Sequence, residues 1–276
     1  MDARSVRYGR PTCARWGTGR YCADVNREQR LNAIVAAVVA RGTLDAPELA
    51  QEFEVSLATV RRDLDLLERQ RLVSRTRGGV RMHSAFNDLP LSLKTTQDLP
   101  EKKRIAEHAL EYLAGARVIG LTGGTTLTQF ATGLVDREGL TVVTNALNVA
   151  TDLLVNPGLR VLAAGGEVRS SSQEAVGPSA EAFLADYNLD VAFVGVDGVD
   201  ARGGCTNYDP AGARVNAVMV ERARRVVVLA DASKVGRVAL AQVCRMTQVD
   251  VLVTDDRLSD AESDKIQSEG GRIVRV

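Results

Sequence analysis

The stretch VSLATVRRDLDLLERQRLVSRTRGGV, from Val55 to Val80, decides the fold of the front part of this chain. Ser56 is a favoured helix cap. The hydrophobic residues after it recur every three or four positions: Leu57, Val60, Leu64 and Leu67. This spacing predicts a capped amphipathic helix with one buried stripe. Four arginines and no acidic residue follow from Arg71 to Arg81, and they predict a basic hairpin with strands at 72–75 and 79–82.

Two more helices are predicted before this one. Apolar residues repeat at helical spacing from Asn26 to Gly42. A second helix is predicted to start at Asp45, the expected N-cap, with Pro47 in its first turn. Three closely spaced helices and a basic hairpin are the pattern of a winged helix-turn-helix, here over residues 26–82.

The third helix is predicted to bind duplex DNA. At 100° per residue, Ala58, Thr59 and Arg62 lie opposite the apolar stripe, and Arg61 lies at their flank. Exposed residues near the start of such a helix reach base edges in the major groove. We expect Arg62 to contact bases and Arg61 the backbone. The predicted DNA-contacting residues are Ser56, Thr59, Arg61, Arg62, Arg75, Arg77, Gly78 and Gly79.

A solvated amphipathic helix with incidental arginines is the alternative interpretation. Three features favour DNA binding: the three-helix context, the accessible start of the helix at Ser56, and the arginine-rich hairpin that follows. The charge distribution agrees with this. Residues 1–82 carry 15 Lys and Arg against 10 Asp and Glu, whereas the remainder carries 20 against 25. A basic front part is suited to contact with phosphate groups, whereas the acidic rear part is expected to have a different function.

Cysteine and histidine usage argues against a metal site. Cys13, Cys22, Cys205 and Cys244 form no C-x-x-C pair, and the chain has two histidines. No cofactor motif is present. No segment reaches the roughly 20 apolar residues that span a bilayer, and the start lacks a signal-peptide core. We therefore expect a cytoplasmic protein with reduced thiols and no membrane partner.

The first 25 residues and a later polar stretch are predicted to lie outside both folded domains. Residues 1–25 are rich in arginine and glycine and have no hydrophobic period, which predicts a disordered extension. Such an extension is either inert or a basic arm on DNA. Residues 83–100 are polar and contain two prolines, which predicts a linker.

Residues 101–276 are predicted to form a larger α/β domain. Apolar runs of strand length alternate with amphipathic segments of helix length, which argues for a largely parallel sheet covered on both faces. The predicted strands are 117–121, 140–143, 159–162, 190–196, 225–230, 249–253 and 272–276. The predicted helices lie near 126–135, 146–155, 178–186, 210–224 and 259–269.

Polar or glycine-bearing segments follow five of these strands, where ligands of parallel sheets bind. Thr122-Gly-Gly-Thr-Thr126 opens a helix, so its amides and hydroxyls suit an anion. The other four are Thr144-Asn145, Gly165-Gly166, Asp197 to Asp200, and Asp231 to Lys234. A lysine near a donor-rich loop favours a phosphorylated, hydroxylated small molecule.

Both parts resemble the DeoR family of transcriptional regulators. The front motif is Val55-Ser56, Thr59-Val60-Arg61-Arg62-Asp63-Leu64, then Arg75 and Gly78-Gly79. In the rear part the resembling motifs are Gly124-Thr125-Thr126, Thr141 to Asn145, Gly165-Gly166, Ala192 to Gly195 with Asp197-Gly198, and Leu229 to Lys234. The resemblance covers roughly residues 27–276.

The resemblance implies a sensor domain with the fold of ribose-5-phosphate isomerase and glucosamine-6-phosphate deaminase. It implies a regulator, most often a repressor, that responds to a sugar phosphate or a related metabolite. Gly123, Gly124, Thr125 and Thr126 would then hold the phosphate, and Asn145, Asp197 and Lys234 would contact the rest, with Gly165 and Gly166 nearby. The family often has Asp-Ser-Gly-Thr-Thr where this chain has Thr122-Gly-Gly-Thr-Thr, so a carboxylate that could bind sugar hydroxyls is missing.

Two other functions remain open at this point. One is a sugar-phosphate isomerase or deaminase with an added DNA module, using Asp197 and Asp200; the segment Ala201 to Gly204 lacks the lysine that such an isomerase needs. The other is a constitutive DNA-binding protein with a vestigial pocket. Because one winged helix reads a short half-site, we expect a homo-oligomer, a dimer or tetramer built through the rear domain.

Overall fold

The computed structural model describes residues 27–69, 72–76, 79–82, 91 and 98–276. The chain divides into two compact units, residues 1–85 and 86–276, and each is described by itself. The predicted extension 1–25, most of the predicted linker 83–100, and the predicted DNA contacts Arg77 and Gly78 lie outside the described residues.

The front unit is a winged helix-turn-helix, as the sequence predicts. Its elements are α1 (Arg27–Arg41), β1 (Leu44–Asp45), α2 (Ala46–Glu52), α3 (Leu57–Arg69), β2 (Val73–Arg75) and β3 (Gly79–Met82). The strands form an antiparallel sheet in the order β1-β3-β2. We call β2, β3 and the turn between them the wing. The short strand β1 was not predicted, because two residues carry no alternation that could reveal a strand.

The predicted apolar stripe of α3 forms the core of this unit. Val60, Leu64 and Leu67 are buried together with Ile34 of α1 and Leu49 of α2. Asp45 takes the N-cap position of α2, but its side chain accepts no capping hydrogen bond from the described residues, and Pro47 lies in the first turn as expected. The helix boundaries therefore follow from local chemistry, and packing of the stripe holds the three helices together.

The rear unit is an α/β domain. Its helices are α4 (Leu99–Ala109), α5 (Thr125–Thr132), α6 (Leu147–Leu153), α7 (Pro178–Ala185), α8 (Pro210–Glu221) and α9 (Asp260–Ser268). Its strands are β4 (Val118–Leu121), β5 (Thr141–Thr144), β6 (Arg160–Ala163), β7 (Glu167–Arg169), β8 (Glu174–Val176), β9 (Val191–Gly195), β10 (Gly198–Asp200), β11 (Gly204–Asn207), β12 (Val226–Leu229), β13 (Ala241–Cys244), β14 (Val251–Thr254) and β15 (Ile273–Arg275).

Within residues 98–276, seven strands form a parallel sheet in the order β15-β14-β12-β9-β4-β5-β6. These are the seven predicted strands, with ends that differ from the prediction by one or two residues. Helices α4, α5 and α6 pack on one face through Ile105, Phe130 and Leu153. Helices α7, α8 and α9 pack on the other face through Leu184, Met219 and Ile266.

Two small antiparallel sheets were not predicted. One is the hairpin β7–β8, and the other has the order β10-β11-β13. Their strands have three or four residues and no sustained apolar run, so the sequence pattern did not reveal them. Both contribute side chains to the site described below. In the described part of the chain, no helix is long and apolar enough to cross a membrane.

Candidate functional site

Helix α3 presents an exposed basic face. Arg61 and Arg62 are exposed, and the opposite side, with Val60, Asp63 and Leu64, is buried. This is the orientation that the helical period predicted. Side chains on the free face of a helix in this position can reach the edges of base pairs.

Ser56 and Thr59 fix the beginning of α3. The Ser56 Oγ accepts a hydrogen bond from the Thr59 backbone N–H at 3.1 Å, and the two hydroxyls lie 2.8 Å apart. Ser56 therefore caps the helix as predicted. The two side chains are exposed and half-buried respectively, so the same pair lies beside the arginines on the free face.

Arg75 joins the wing to α3. Its guanidinium donates to the Arg61 carbonyl at 3.0 Å and to Asp65 Oδ1 at 2.5 Å, and it lies 3.7 Å from Glu68 Oε2. The Arg75 backbone N–H also donates to Glu68 Oε1 at 3.2 Å. The sequence predicts that Arg75 contacts DNA, and in the structure its interactions hold the wing against the helix that carries Arg61.

Gly79, one of the predicted DNA contacts, has a structural role in the wing. It is buried and pairs with Asp45, and a Cβ at this position would lie 2.3 Å from the Leu44 carbonyl oxygen. Its N–H donates to the Thr76 carbonyl at 3.4 Å. The glycine is thus required because β1 approaches β3 closely.

The rear unit has a cavity at the carboxyl ends of β4, β9 and β12. The chain runs from β4 to β5 on one side and later reaches β9 on the other, so the cavity lies at a topological switch point of the parallel sheet. Its lining residues are Leu91, Gly123, Gly124, Thr125, Thr126, Leu127, Arg169, Ser171, Ser172, Glu174, Gly195, Val196, Asp197, Asn207, Asp209, Gly212, Asn216, Leu229 and Lys234.

The segment Gly123–Thr126, which we call the Gly123 loop, leads into α5. It presents the backbone at the start of this helix to the cavity. Thr126 Oγ1 and, across the cavity, Asn216 Oδ1 are buried and have no hydrogen-bond partner in the described part of the chain. Buried polar atoms without partners are costly, so such atoms in the lining of one cavity indicate a place for a polar ligand.

Glu174 enters the cavity from the first residue of β8. Its Oε1 accepts a hydrogen bond from the Gly123 backbone N–H at 3.0 Å, and Asn145 Nδ2 lies 3.4 Å from the same oxygen. Burial raises the pKa of Glu174, although neighbouring hydrogen-bond donors and the charge of Arg169 act in the opposite direction. A carboxylate therefore takes one of the amides that sequence analysis assigned to a phosphate.

The opposite wall holds cations and carboxylates. Lys234 Nζ donates to the Val196 carbonyl at 2.8 Å. Asp209 caps α8 through the Gly212 N–H at 2.6 Å and lies 3.4 Å from Arg169 Nη1. Asp197 Oδ2 accepts from the Tyr208 N–H at 3.1 Å. This wall can meet both an anionic group and hydroxyl groups of a small molecule.

Sequence models of two protein families match the chain. The DeoR-like helix-turn-helix domain matches residues 30–86, and the DeoR C terminal sensor domain matches residues 97–256. The second match alone spans more than half of the chain. The chain belongs to the DeoR family. It is a DNA-binding transcriptional regulator.

Curated relatives of this DeoR-family chain are named as regulators too. The glycerol-3-phosphate regulon repressor of Escherichia coli K12 is 32% identical over 84% of this chain and 92% of the relative. The transcriptional repressor CsqR of the same organism is 31% identical over 91% of this chain and 96% of the relative. The regulator GlpR of Haloferax volcanii is 32% identical over 89% of this chain and 96% of the relative.

Solved structures similar to this chain include ribose 5-phosphate isomerase A from Neisseria gonorrhoeae. The similarity has 22% sequence identity and a TM-score of 0.37. It covers 51% of this chain and 55% of the isomerase, so this chain spans about half the length of that structure.

The cavity of this DeoR-family chain includes six of the nine residues predicted to bind an effector: Gly123, Gly124, Thr125, Thr126, Asp197 and Lys234. The other three predicted residues do not line the cavity. Asn145 is buried behind the lining, where its amide donates to the Ala175 carbonyl at 3.3 Å. Gly165 and Gly166 follow the edge strand β6, and Gly166 faces Ser179 and Val176 near α7. These glycines lie away from the cavity because β6 is three strands from β9.

Several lining residues were not predicted from the sequence, chiefly Arg169, Glu174, Asn207, Asp209 and Asn216. Asp209 could have been found, since an Asp directly before Pro210 and an apolar run signals a helix start. The others lie on short strands or inside a helix, and no local pattern distinguishes them. No group of His, Cys, Asp and Glu that could hold a metal ion occurs among the described residues.

Proposed function

We propose that this chain is a repressor that binds operator DNA through α3 and the wing and releases it when a small phosphorylated sugar or polyol occupies the cavity. The observation that carries the proposal is the exposed pair Arg61 and Arg62 on the capped helix α3. The relatives named as repressors support the direction of regulation.

On the DNA side, we assign base contact to Arg62 and backbone contact to Arg61, with Ser56 and Thr59 at the helix start. Arg77 and Gly78, which lie between β2 and β3 in the sequence, are assigned to the phosphate backbone. Arg75 is assigned a positioning role, because its guanidinium bonds Asp65 and the Arg61 carbonyl. Each phosphate contact would add about 0.9 to the slope of log affinity against log salt concentration.

On the effector side, we assign the phosphate to the Gly123 loop and Lys234, and the hydroxyl groups to Asp197, Asn207 and Asn216. The unpartnered Thr126 Oγ1 and Asn216 Oδ1 support this assignment. One relative is named for the glycerol-3-phosphate regulon, so glycerol 3-phosphate is the first compound to test. To move operator occupancy from 99:1 to 1:99, the effector must bind the DNA-free form about 10⁴-fold more tightly than the DNA-bound form.

We further propose that residues 26–82 and 101–276 are the two functional domains, joined by a linker at 83–100 and preceded by an extension at 1–25. The rear domain would assemble the protein into a homodimer or tetramer, because a single winged helix reads too few base pairs for specific binding. Equilibrium sedimentation of the full chain tests the assembly; a monomer at micromolar concentration would contradict it.

We assign no catalytic turnover to the cavity. Arg202 and Gly203 form the turn after β10, where an isomerase would need a lysine, and an arginine is a poor proton carrier because its pKa exceeds about 12. Conversion of ribose 5-phosphate or glucosamine 6-phosphate by the purified protein would reverse this assignment.

The decisive experiment measures DNA binding together with its response to candidate effectors. The operator is first identified by genome-wide mapping of bound sites, and its affinity is then measured with and without a panel of sugar and polyol phosphates. Arg62→Ala should weaken operator binding at least about tenfold, while Arg272→Ala, which removes an exposed arginine of the rear unit, should not. Operator binding that no compound changes would overturn the sensor role and leave DNA binding intact.

A further inference from the structure

We infer that Glu174 is a specificity-determining residue of the effector site: its carboxylate lies at the Gly123 amide, so an anionic ligand binds tightly beside the Gly123 loop only when Glu174 carries no negative charge. The inference rests on the proposed function of the cavity. It goes further, because it predicts that anion binding is coupled to proton uptake at one named side chain.

The position of Glu174 is imposed by its surroundings. The Ala175 N–H donates to the Asn145 carbonyl at 2.7 Å, and the Leu147 N–H donates to the Gln173 carbonyl at 2.9 Å, so backbone bonds on both sides tie this segment to the start of α6. Gln173 has a φ of 59°, in the left-handed region that non-glycine residues rarely adopt. The chain therefore reaches Glu174 through a constrained turn, which keeps its side chain in the cavity.

Gly123 and Glu174 are matched to each other. A Cβ at position 123 would lie 2.6 Å from Glu174 Cδ and 2.7 Å from its Oε1. Any other residue in place of Gly123 would have to push the carboxylate away. The glycine thus admits the carboxylate to a position where its Oε1 accepts the Gly123 N–H at 3.0 Å.

The groups facing Glu174 explain why an incoming anion meets resistance. Arg169, on β7 of the same hairpin, attracts the carboxylate but also lies 3.4 Å from Asp209 Oδ2. Asp197 and Lys234 are the other charged residues among the described residues of the lining, and these described residues include two cations and three carboxylates. An ionised Glu174 therefore leaves a negative balance beside the Gly123 loop, and a dianion is repelled unless Glu174 takes up a proton.

Sulfate is the appropriate probe, because it stays a dianion between pH 5.5 and 8, whereas a phosphate ester titrates in that range. Among the residues that the structure describes, no histidine lines the cavity. Sulfate binding to the full chain would be measured by calorimetry across this range, in buffers of different ionisation enthalpy to count protons. We expect the affinity of the natural protein to rise about tenfold or more as the pH falls from 8 to 5.5, with net proton uptake.

Glu174→Gln keeps an acceptor for the Gly123 amide and removes the charge. We expect it to bind sulfate at pH 8 at least as tightly as the natural protein does at pH 5.5, without proton uptake. Glu167→Gln, an exposed residue of the same hairpin, is the matched control and should behave as the natural protein. If the natural protein binds sulfate with the same affinity at every pH, the inference fails, even if the Gln variant does not fold.

The two proposals fail in different ways. Binding of sulfate that is independent of pH and unchanged by Glu174→Gln would overturn the inference and leave the effector site in place. Absence of binding by any sugar phosphate, polyol phosphate or sulfate to either protein would overturn the effector site itself.

Discussion

Arg30 Nε donates to Asp63 Oδ2 at 2.7 Å, and this pair joins α1 to the buried side of α3. Asp63 is 1% exposed, and Arg27 adds a second cation at 3.4 Å from its other oxygen. The motif Arg61-Arg62-Asp63 therefore combines two exposed cations with one buried anion. The arginines face outward, and the aspartate fixes the helix that carries them.

Asp63→Ala should strongly destabilise the front unit. Removal of one member of a buried ion pair costs about 3–5 kcal/mol, because it leaves the half-hidden Arg30 without its partner. Urea unfolding of the full chain, followed by a probe in the front unit, measures the change. Glu54→Ala, at an exposed position, should change the free energy of unfolding by less than about 0.5 kcal/mol. A similar effect of both substitutions would show that the Asp63–Arg30 pair contributes no more to the free energy of unfolding than an exposed residue does.

Arg75→Ala and Asp65→Ala should weaken operator binding to a similar extent, because both break the contact between the wing and α3. The loss of stability should be at most about 1 kcal/mol, since the pair is exposed. The salt dependence of binding separates positioning from direct contact. A positioning role leaves the slope unchanged in Arg75→Ala, whereas loss of a phosphate contact lowers it by about 0.9. Normal DNA binding by Asp65→Ala together with a reduced slope in Arg75→Ala would show that Arg75 contacts DNA directly.

Gly123→Ala should abolish the effector response while operator binding is retained. The added methyl group would overlap the Glu174 side chain, and overpacking of this kind costs about 1–3 kcal/mol. Gly165→Ala is the matched control, because a Cβ there meets nothing within 4 Å. Thermal shift with glycerol 3-phosphate and release of operator DNA are the measurements. A full response in Gly123→Ala would remove the Gly123 loop from the effector site.

Asp255→Asn should reduce stability at pH 7 and make it less sensitive to acid. Burial alone would raise the pKa of Asp255, but hydrogen bonds from Arg257 and the Ala232 amide outweigh it and hold the pKa below its usual range. The resulting stabilisation is present above the unfolded-state pKa of about 3.9, and it is lost as the pH falls through the folded-state pKa. We expect a loss of about 1–3 kcal/mol at pH 7 that disappears in strong acid.

Unfolding in urea between pH 2 and 7 measures the acid dependence. The adjacent Asp256 is the control: it is 73% exposed and pairs with Arg104 at the surface. Asp256→Asn should cost less than about 1 kcal/mol at any pH. An equally large loss in both variants would contradict the special role of the buried carboxylate.

Local chemistry allowed much of the fold to be predicted. The apolar period of α3, its Ser56 cap and the seven parallel strands each depend on residues close together in the chain, and all are present. The expectation that ligands bind at the carboxyl ends of parallel strands also identified Gly123 to Thr126, Asp197 and Lys234 as residues of the cavity. The same expectation was wrong for Gly165 and Gly166, because it does not say how far each strand lies from the switch point between β4 and β9.

The sequence by itself determined the two folds, the family and the cationic face of α3, because helical period, strand length and capping are properties of neighbouring residues. Only the tertiary structure decided which side chains meet. Arg75 with Asp65, Arg30 with Asp63 and Glu174 with Gly123 are separated by 10, 33 and 51 positions. These pairings are set by strand order and helix packing, so they cannot be predicted from the spacing of residues in the sequence.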